Sequence, residues 1–117
     1  MKTASLALLS ALLSGCGAGE PDVKAIVGAT LVTASGQRIS PGVVVVKGTR
    51  IWRVGTQADT PVPAGAEKVE GYGKFVTPEG DEDLTPGAEA NLRLFAADPR
   101  GADRPPERVL REGAWIR

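Results

Sequence analysis

The sequence predicts an all-β fold, a small β-sandwich, on three observations. Turn formers are frequent, with 15 glycines and 9 prolines in 117 residues, and they punctuate the chain at short intervals. Between them lie short runs rich in valine, isoleucine and leucine, which favour extended backbone. Beyond Lys24 no stretch sustains the apolar period of an amphipathic helix.

Residues 25–33 make the first expected strand, with Ile26, Gly28, Thr30 and Val32 on one face and Ala25, Val27, Ala29 and Leu31 on the other. Ser35-Gly36-Gln37 turns the chain, and residues 38–40 pair briefly before Pro41-Gly42 interrupts. A hairpin follows: Val43-Val44-Val45-Val46-Lys47, a reversal at Gly48-Thr49, and Arg50-Ile51-Trp52-Arg53-Val54. Consecutive β-branched residues hold the backbone extended, and the glycine permits the tight reversal. Residues 55–65, with Pro61 and Pro63, make a surface loop. Residues 67–70 give a short strand, Gly71-Tyr72-Gly73 a tight passage, and residues 74–77 another strand stopped by Pro78.

Residues 79–90 are acidic, with Pro86-Gly87 as a turn signal, and separate the first group of strands from the last; the stretch between Pro78 and Leu84 reads as a short acidic linker. In residues 91–96, Leu92 and Leu94 alternate with Arg93 and Phe95, the pattern of a half-buried strand. Residues 98–106 form a polar loop. Residues 107–111 and 114–117 then make a final hairpin around Glu112-Gly113, with Val109, Trp115 and Ile116 as core contributors. Seven or eight short strands in about 100 residues fit a sandwich or small barrel of sheet.

The N-terminus has a different character. Lys2 precedes the apolar run Leu6-Ala7-Leu8-Leu9-Ser10-Ala11-Leu12-Leu13, which has signal-peptide length and falls short of the roughly 20 residues that span a bilayer as a helix. It ends in Leu13-Ser14-Gly15-Cys16, which resembles the lipobox of bacterial lipoproteins. The organisation expected is a signal peptide over 1–15 cleaved between Gly15 and Cys16, a lipidated tether over 16–23, and a β-sandwich domain over 24–117. The bland alternatives are a buried free cysteine and an ordinary cleaved signal with an incidental thiol. The chain has one cysteine, so an internal disulfide is excluded. By the lipoprotein resemblance Cys16 is multiply acylated, and several acyl chains hold a membrane where one holds it only marginally. Gly17, in place of an aspartate, implies the outer membrane. The expected location is thus the cell envelope, and the expected partners are the lipid bilayer, through acylated Cys16, and a protein.

Charge and composition exclude several function classes. Basic and acidic side chains balance at 14 each, so the clustered basic excess of a nucleic-acid binder is missing. The chain contains no histidine, which removes the commonest general base near neutral pH and the commonest zinc ligand. Asp81-Glu82-Asp83 offers carboxylates suited to a hard cation, but it lacks the spaced oxygen-ligand loop of a calcium site and reads as a solvated charge run. Ser35 and Ser40 have no histidine partner for nucleophilic catalysis. Lys68 and Lys74 read as strand-edge charges. Trp52, Tyr72 and Trp115 are a ligand platform or, more commonly in a small domain, core and core rim. Gly71-x-Gly73 makes no phosphate loop, because no helix follows it. No cofactor, metal or catalytic residue is assigned.

Two segments resemble opposite ends of the metal-dependent amidohydrolase superfamily, in its imidazolonepropionase-like branch. The leading part is Ile26-Val27-Gly28-Ala29-Thr30-Leu31-Val32 with residues 43–51 and Val54-Gly55. Gly71-Tyr72-Gly73-Lys74-Phe75-Val76-Thr77-Pro78 is similar to the segment that hands the chain to a catalytic barrel. Leu84-Thr85-Pro86-Gly87-Ala88-Glu89-Ala90-Asn91-Leu92 resembles the return after it, with Asn91 where an aspartate is usual, and Asp98-Pro99 and residues 109–116 fit the last strands. The resemblance implies the composite β-sandwich of such an enzyme without its barrel, which alone needs roughly 250 residues. The barrel's His-x-His motif is replaced by Glu79-Gly80-Asp81-Glu82-Asp83. Three functional readings follow: a lipid-anchored, non-catalytic structural or interaction module, an accessory part of an amidohydrolase acting on carbon–nitrogen bonds with its barrel supplied in trans, and a degenerate remnant.

Overall fold

Why the valine run has no polar alternation is answered by its position in the sheet. The computed structural model describes residues 22–80, 82–99 and 105–116. It holds eight strands: β1 (Val23–Val32), β2 (Arg38–Lys47), β3 (Arg50–Thr56), β4 (Glu67–Glu70), β5 (Phe75–Pro78), β6 (Leu92–Phe95), β7 (Arg108–Arg111) and β8 (Ala114–Ile116). Among the described residues there is no helix. β2 lies between β1 and β3, and Val43, Val44, Val45 and Val46 are all essentially buried. Val44 and Val46 enter the main core, while Val43 and Val45 join Ala25 in a second cluster on the opposite face, under Val23, Val27 and Val62. A strand covered on both faces needs apolar residues at every position.

The pairing runs unbroken in the order β3-β2-β1-β5-β6-β7-β8, with β4 also on β1. β1 pairs with β4 and β5 in parallel, and every other neighbouring pair is antiparallel. The two layers expected of a sandwich are the two halves of this one sheet. Ile26, Leu31, Val44, Val46 and Ile51 from β1–β3 share a core with Val76, Leu92, Leu94 and Leu110 from β5–β7. Strands that far apart in the order, at roughly 5 Å per step, meet only if the sheet bends over on itself.

Gly28 corrects the expected faces of β1. The register with β2 shifts between Val27 and Ala29 and again before Leu31, and Gly28 has φ of 89°. This bulge moves Ala29 and Leu31 to the face of Ile26, so the simple alternation of residues 25–33 fails at its centre. The ring of Tyr72 lies on Gly28, where any Cβ would overlap it. Across the same irregularity the Gly71 N–H donates to the Val27 carbonyl at 2.8 Å and the Thr30 N–H to the Lys74 carbonyl at 2.9 Å. β4 and β5 therefore read as one interrupted strand along β1.

Three other expectations are corrected. The brief pairing of residues 38–40 belongs to a longer strand: β2 continues through Pro41-Gly42, where Ser40 and Pro41 have no register partner, because the shift between Ala29 and Leu31 absorbs them and Gly42 leaves room for the Leu31 side chain beneath. Ile116 is 41% exposed, and Leu110 takes the inward position in the last hairpin. The acidic stretch is not merely solvated: Glu82 and Asp83 accept backbone hydrogen bonds, and the residues after it enter the core. Leu84, Ala88 and Ala90 are buried in the main core, and their backbone pairs with the start of β3: Ile51 N–H to Ala88 O at 2.8 Å, Gly87 N–H to Ile51 O at 2.8 Å, and Ala90 N–H to Thr49 O at 2.9 Å. The Gly113 N–H donates to Ala90 O at 3.2 Å, so this segment bridges the β2–β3 and β7–β8 turns and closes the open side of the bent sheet.

Candidate functional site

Pro78 and Leu92 are direct partners across β5 and β6, so the chain departs and returns side by side at the place where the resemblance puts a catalytic barrel. The Glu79 N–H donates to the Asn91 carbonyl at 2.8 Å. Asn91, in turn, accepts from the Glu112 N–H through Oδ1 at 2.8 Å, tying the return to the β7–β8 turn.

The carboxylate of Glu79 is the electrostatic centre of this junction. It accepts from Arg111 Nε at 2.8 Å and Nη2 at 3.0 Å, and from Arg93 Nε at 3.2 Å. β6 and β7 place both arginines on the outer face because Leu92, Leu94 and Leu110 take the inner one. The hydrogen bond from Arg111 is the main reason that the Glu79 carboxyl stays below the ordinary glutamate range; partial burial opposes it and Arg93 adds to it. The partners are about half exposed, which limits the strength of the cluster. A pKa lowered in the folded state gives stability that is complete above the ordinary glutamate value and is lost as pH falls through the folded-state value. Glu79→Gln is therefore expected to cost less than about 1 kcal/mol at neutral pH. The difference from the unsubstituted chain should shrink in urea titrations carried out below the carboxylate range.

The acidic run is partly structural. Asp83 Oδ1 accepts from the Leu84 N–H at 2.7 Å and the Ala34 N–H at 2.9 Å, and Glu82 Oε1 accepts from the Glu89 N–H at 2.7 Å. These bonds cap the closing segment where it enters the core. Asp81 lies outside the described residues, as do Gly15 and Cys16. Among the described residues no group of three or more potential ligands is placed to hold a metal ion.

The remaining candidates are dispersed. Ser35 pairs with Thr33 and Ser40 with Thr30, through hydroxyl contacts of 3.0 and 2.9 Å. Lys74 is ion-paired to Glu107 at 2.7 Å. Trp115 packs against the main core under the Arg108 guanidinium. Tyr72 is 59% exposed, and its hydroxyl accepts from Gln57 Nε2 at 2.8 Å. It borders a half-open cleft of about 370 Å³ with Val27, Val62 and Val69 as its apolar lining and Gln57, Lys68 and Glu70 as polar groups. That cleft can hold an apolar group under a polar rim.

Trp52 stands apart from these. Val45 pairs with Arg53 and Val46 with Ile51, which leaves Trp52 as the extra residue of a bulge. Lys47 Nζ lies 4.6 Å and Arg53 Cζ 4.4 Å from its ring. Sequence reasoning missed this grouping, the closing segment and the Glu79 cluster. The small apolar Ala88 and Ala90 around Glu89 were the available signal for the second.

No family model matches the chain, and no curated protein matches it. Among solved structures it is similar to a prolidase-like protein of Bifidobacterium longum, at 31% identity and a TM-score of 0.46 over 50% of this chain and 15% of that one. It is also similar to a molinate hydrolase, at 28% identity and a TM-score of 0.46 over 50% of this chain and 13% of that one. The chain thus spans only a small part of either protein's length.

Proposed function

We propose that the chain is a lipid-anchored envelope protein carrying a non-catalytic β-sandwich of the amidohydrolase composite type, acting as a structural or interaction module. The observation that carries this reading is the junction of Pro78 and Leu92. In the resembling enzymes a barrel of roughly 250 residues departs and rejoins there; in this chain the short stretch 79–91 connects the two positions and places Leu84, Ala88 and Ala90 on the core, which supports a sandwich that folds without a barrel. The missing histidines argue against hydrolysis by this chain itself, since the superfamily's reaction depends on a metal held largely by histidine.

The anchor rests on Leu13-Ser14-Gly15-Cys16 and the apolar run before it. The full chain expressed in a bacterial host is expected in the membrane fraction with an acylated Cys16 by mass spectrometry, and Cys16→Ala is expected to leave that fraction. An unmodified N-terminus, or a Cys16→Ala protein that stays in the membrane, would refute the anchor. Zinc-supplemented protein that turned over cyclic amides would refute the non-catalytic role.

A further inference from the structure

We propose that the Trp52 face of the β2–β3 hairpin is a membrane-contact surface, lying on anionic phospholipid headgroups beside the acylated residue. The proposal rests on the anchoring described above and adds an orientation to it. Val23 pairs with Lys47, and the Gly48 N–H donates to the Asp22 carbonyl at 2.8 Å. The first of the described residues therefore lie at the hairpin's turn. Six residue steps separate Asp22 from Cys16, a span of about 20 Å even when fully extended. An anchor at Cys16 holds this end of the molecule, and not the opposite one, against the bilayer.

The chemistry at that end matches a lipid interface. Trp52 is 37% exposed although apolar, and the β3 bulge turns it outward. Lys47, Arg50, Ile51 and Trp52 line a shallow hollow of about 190 Å³. Tryptophan and lysine or arginine together favour the headgroup layer, where the ring sits at the apolar boundary and the cations meet phosphate.

Charge pairing points the same way. Lys24, Arg38, Lys74, Arg93 and Arg111 all have carboxylate partners. Lys47, Arg50 and Arg53 have none among the described residues, nor do Lys68 and Arg108, which lie apart from each other on β4 and β7; only at the hairpin do three such cations gather, two stacked on Trp52 and Arg50 donating to the Gly87 carbonyl at 2.9 Å. The nearby acids are engaged or lie on other elements. Asp22 is held by Lys24 at 2.8 Å, Glu89 accepts from Asn91 at 3.4 Å, Glu67 opens β4, and Glu112 sits in the β7–β8 turn. Three unneutralised cations around one exposed indole form a surface that an anionic membrane would neutralise.

The test uses the acylated full-chain product, extracted from membranes and reconstituted into phosphatidylglycerol–phosphatidylcholine vesicles with brominated acyl chains. The chain has two tryptophans, so Trp115→Phe isolates Trp52 and Trp52→Phe isolates Trp115. Trp52 emission is expected to shift to the blue and be quenched by bromine, while Trp115 emission is not. The triple variant Lys47→Glu, Arg50→Glu, Arg53→Glu should float with the vesicles and lose the quenching. If Trp115→Phe fails to fold, the loss of quenching between the unsubstituted chain and Trp52→Phe gives the same reading. Protein that floats, carries acyl groups and shows unquenched Trp52 would overturn the contact surface and leave the anchor standing. Equal quenching in pure phosphatidylcholine would overturn the requirement for anionic lipid. Unacylated protein that stays in the soluble fraction would remove the anchor and the contact surface together.

Discussion

Gly113→Val is expected to lower the unfolding free energy by about 3 kcal/mol or more, the sum of a strained backbone and an overfilled contact. Gly113 has φ of 81°, a conformation that a β-branched residue adopts only at a cost. A Cβ there would also overlap the Gly48 carbonyl, at the point where the β7–β8 turn meets the β2–β3 turn. The loss corresponds to a melting temperature lower by on the order of 15 °C for a domain of this size. Gly36→Ala is the matching control, because its φ of 91° is similar and nothing lies within 4 Å of the added atom. It should cost only the backbone part, about 1 kcal/mol. Thermal melts in which the two variants are equally affected would mean that the turns do not meet.

Leu84→Ala has the second large effect, about 2–4 kcal/mol in denaturant unfolding. Leu84 is 4% exposed and sits in the main core beside Ala88 and Ala90, so its removal leaves a cavity under the closing segment. A residue in a solvated linker would change stability by about 0.5 kcal/mol at most. A Leu84→Ala midpoint close to that of the unsubstituted chain would return residues 79–90 to the status of a loop.

These two variants bear on what could be read from residues alone. The hairpin over β2 and β3 was legible because its signals agree: β-branched residues on each side of Gly48-Thr49 and no competing period. β4 was legible in full, and so was the placing of Leu92 and Leu94 against Arg93, but Phe95, expected on the outer face with Arg93, is buried. Where reading failed, long-range pairing decided the outcome. Nothing local to Gly28 reveals that its strand changes face, since the bulge is defined by its register with β2 and by the Tyr72 ring above it. Nothing local to Pro41-Gly42 reveals that the strand continues through it. The packing of the closing segment on the core was not legible because its charges dominate its composition, while its buried residues are few, small and separated. Of the candidate site, the aromatic residues were singled out as a ligand platform or core, whereas the structure disperses them and leaves Trp52 and Tyr72 exposed. Their separation, and the gathering of Lys47, Arg50 and Arg53 around one of them, depends on a bulge that only the β2–β3 register defines.

The neighbouring positions of Pro78 and Leu92 give the chain an evolutionary latitude. An insertion beginning at the exposed Gly80 would have both its ends presented together on the surface, without disturbing the Glu79 cluster or the cap formed by Leu84, Ala88 and Ala90. Closing a longer excursion between fixed ends costs only about 0.6 kcal/mol for each doubling of its length. Gain or loss of a whole domain at this site is thus a small thermodynamic step, and the sandwich can outlast the guests it carries.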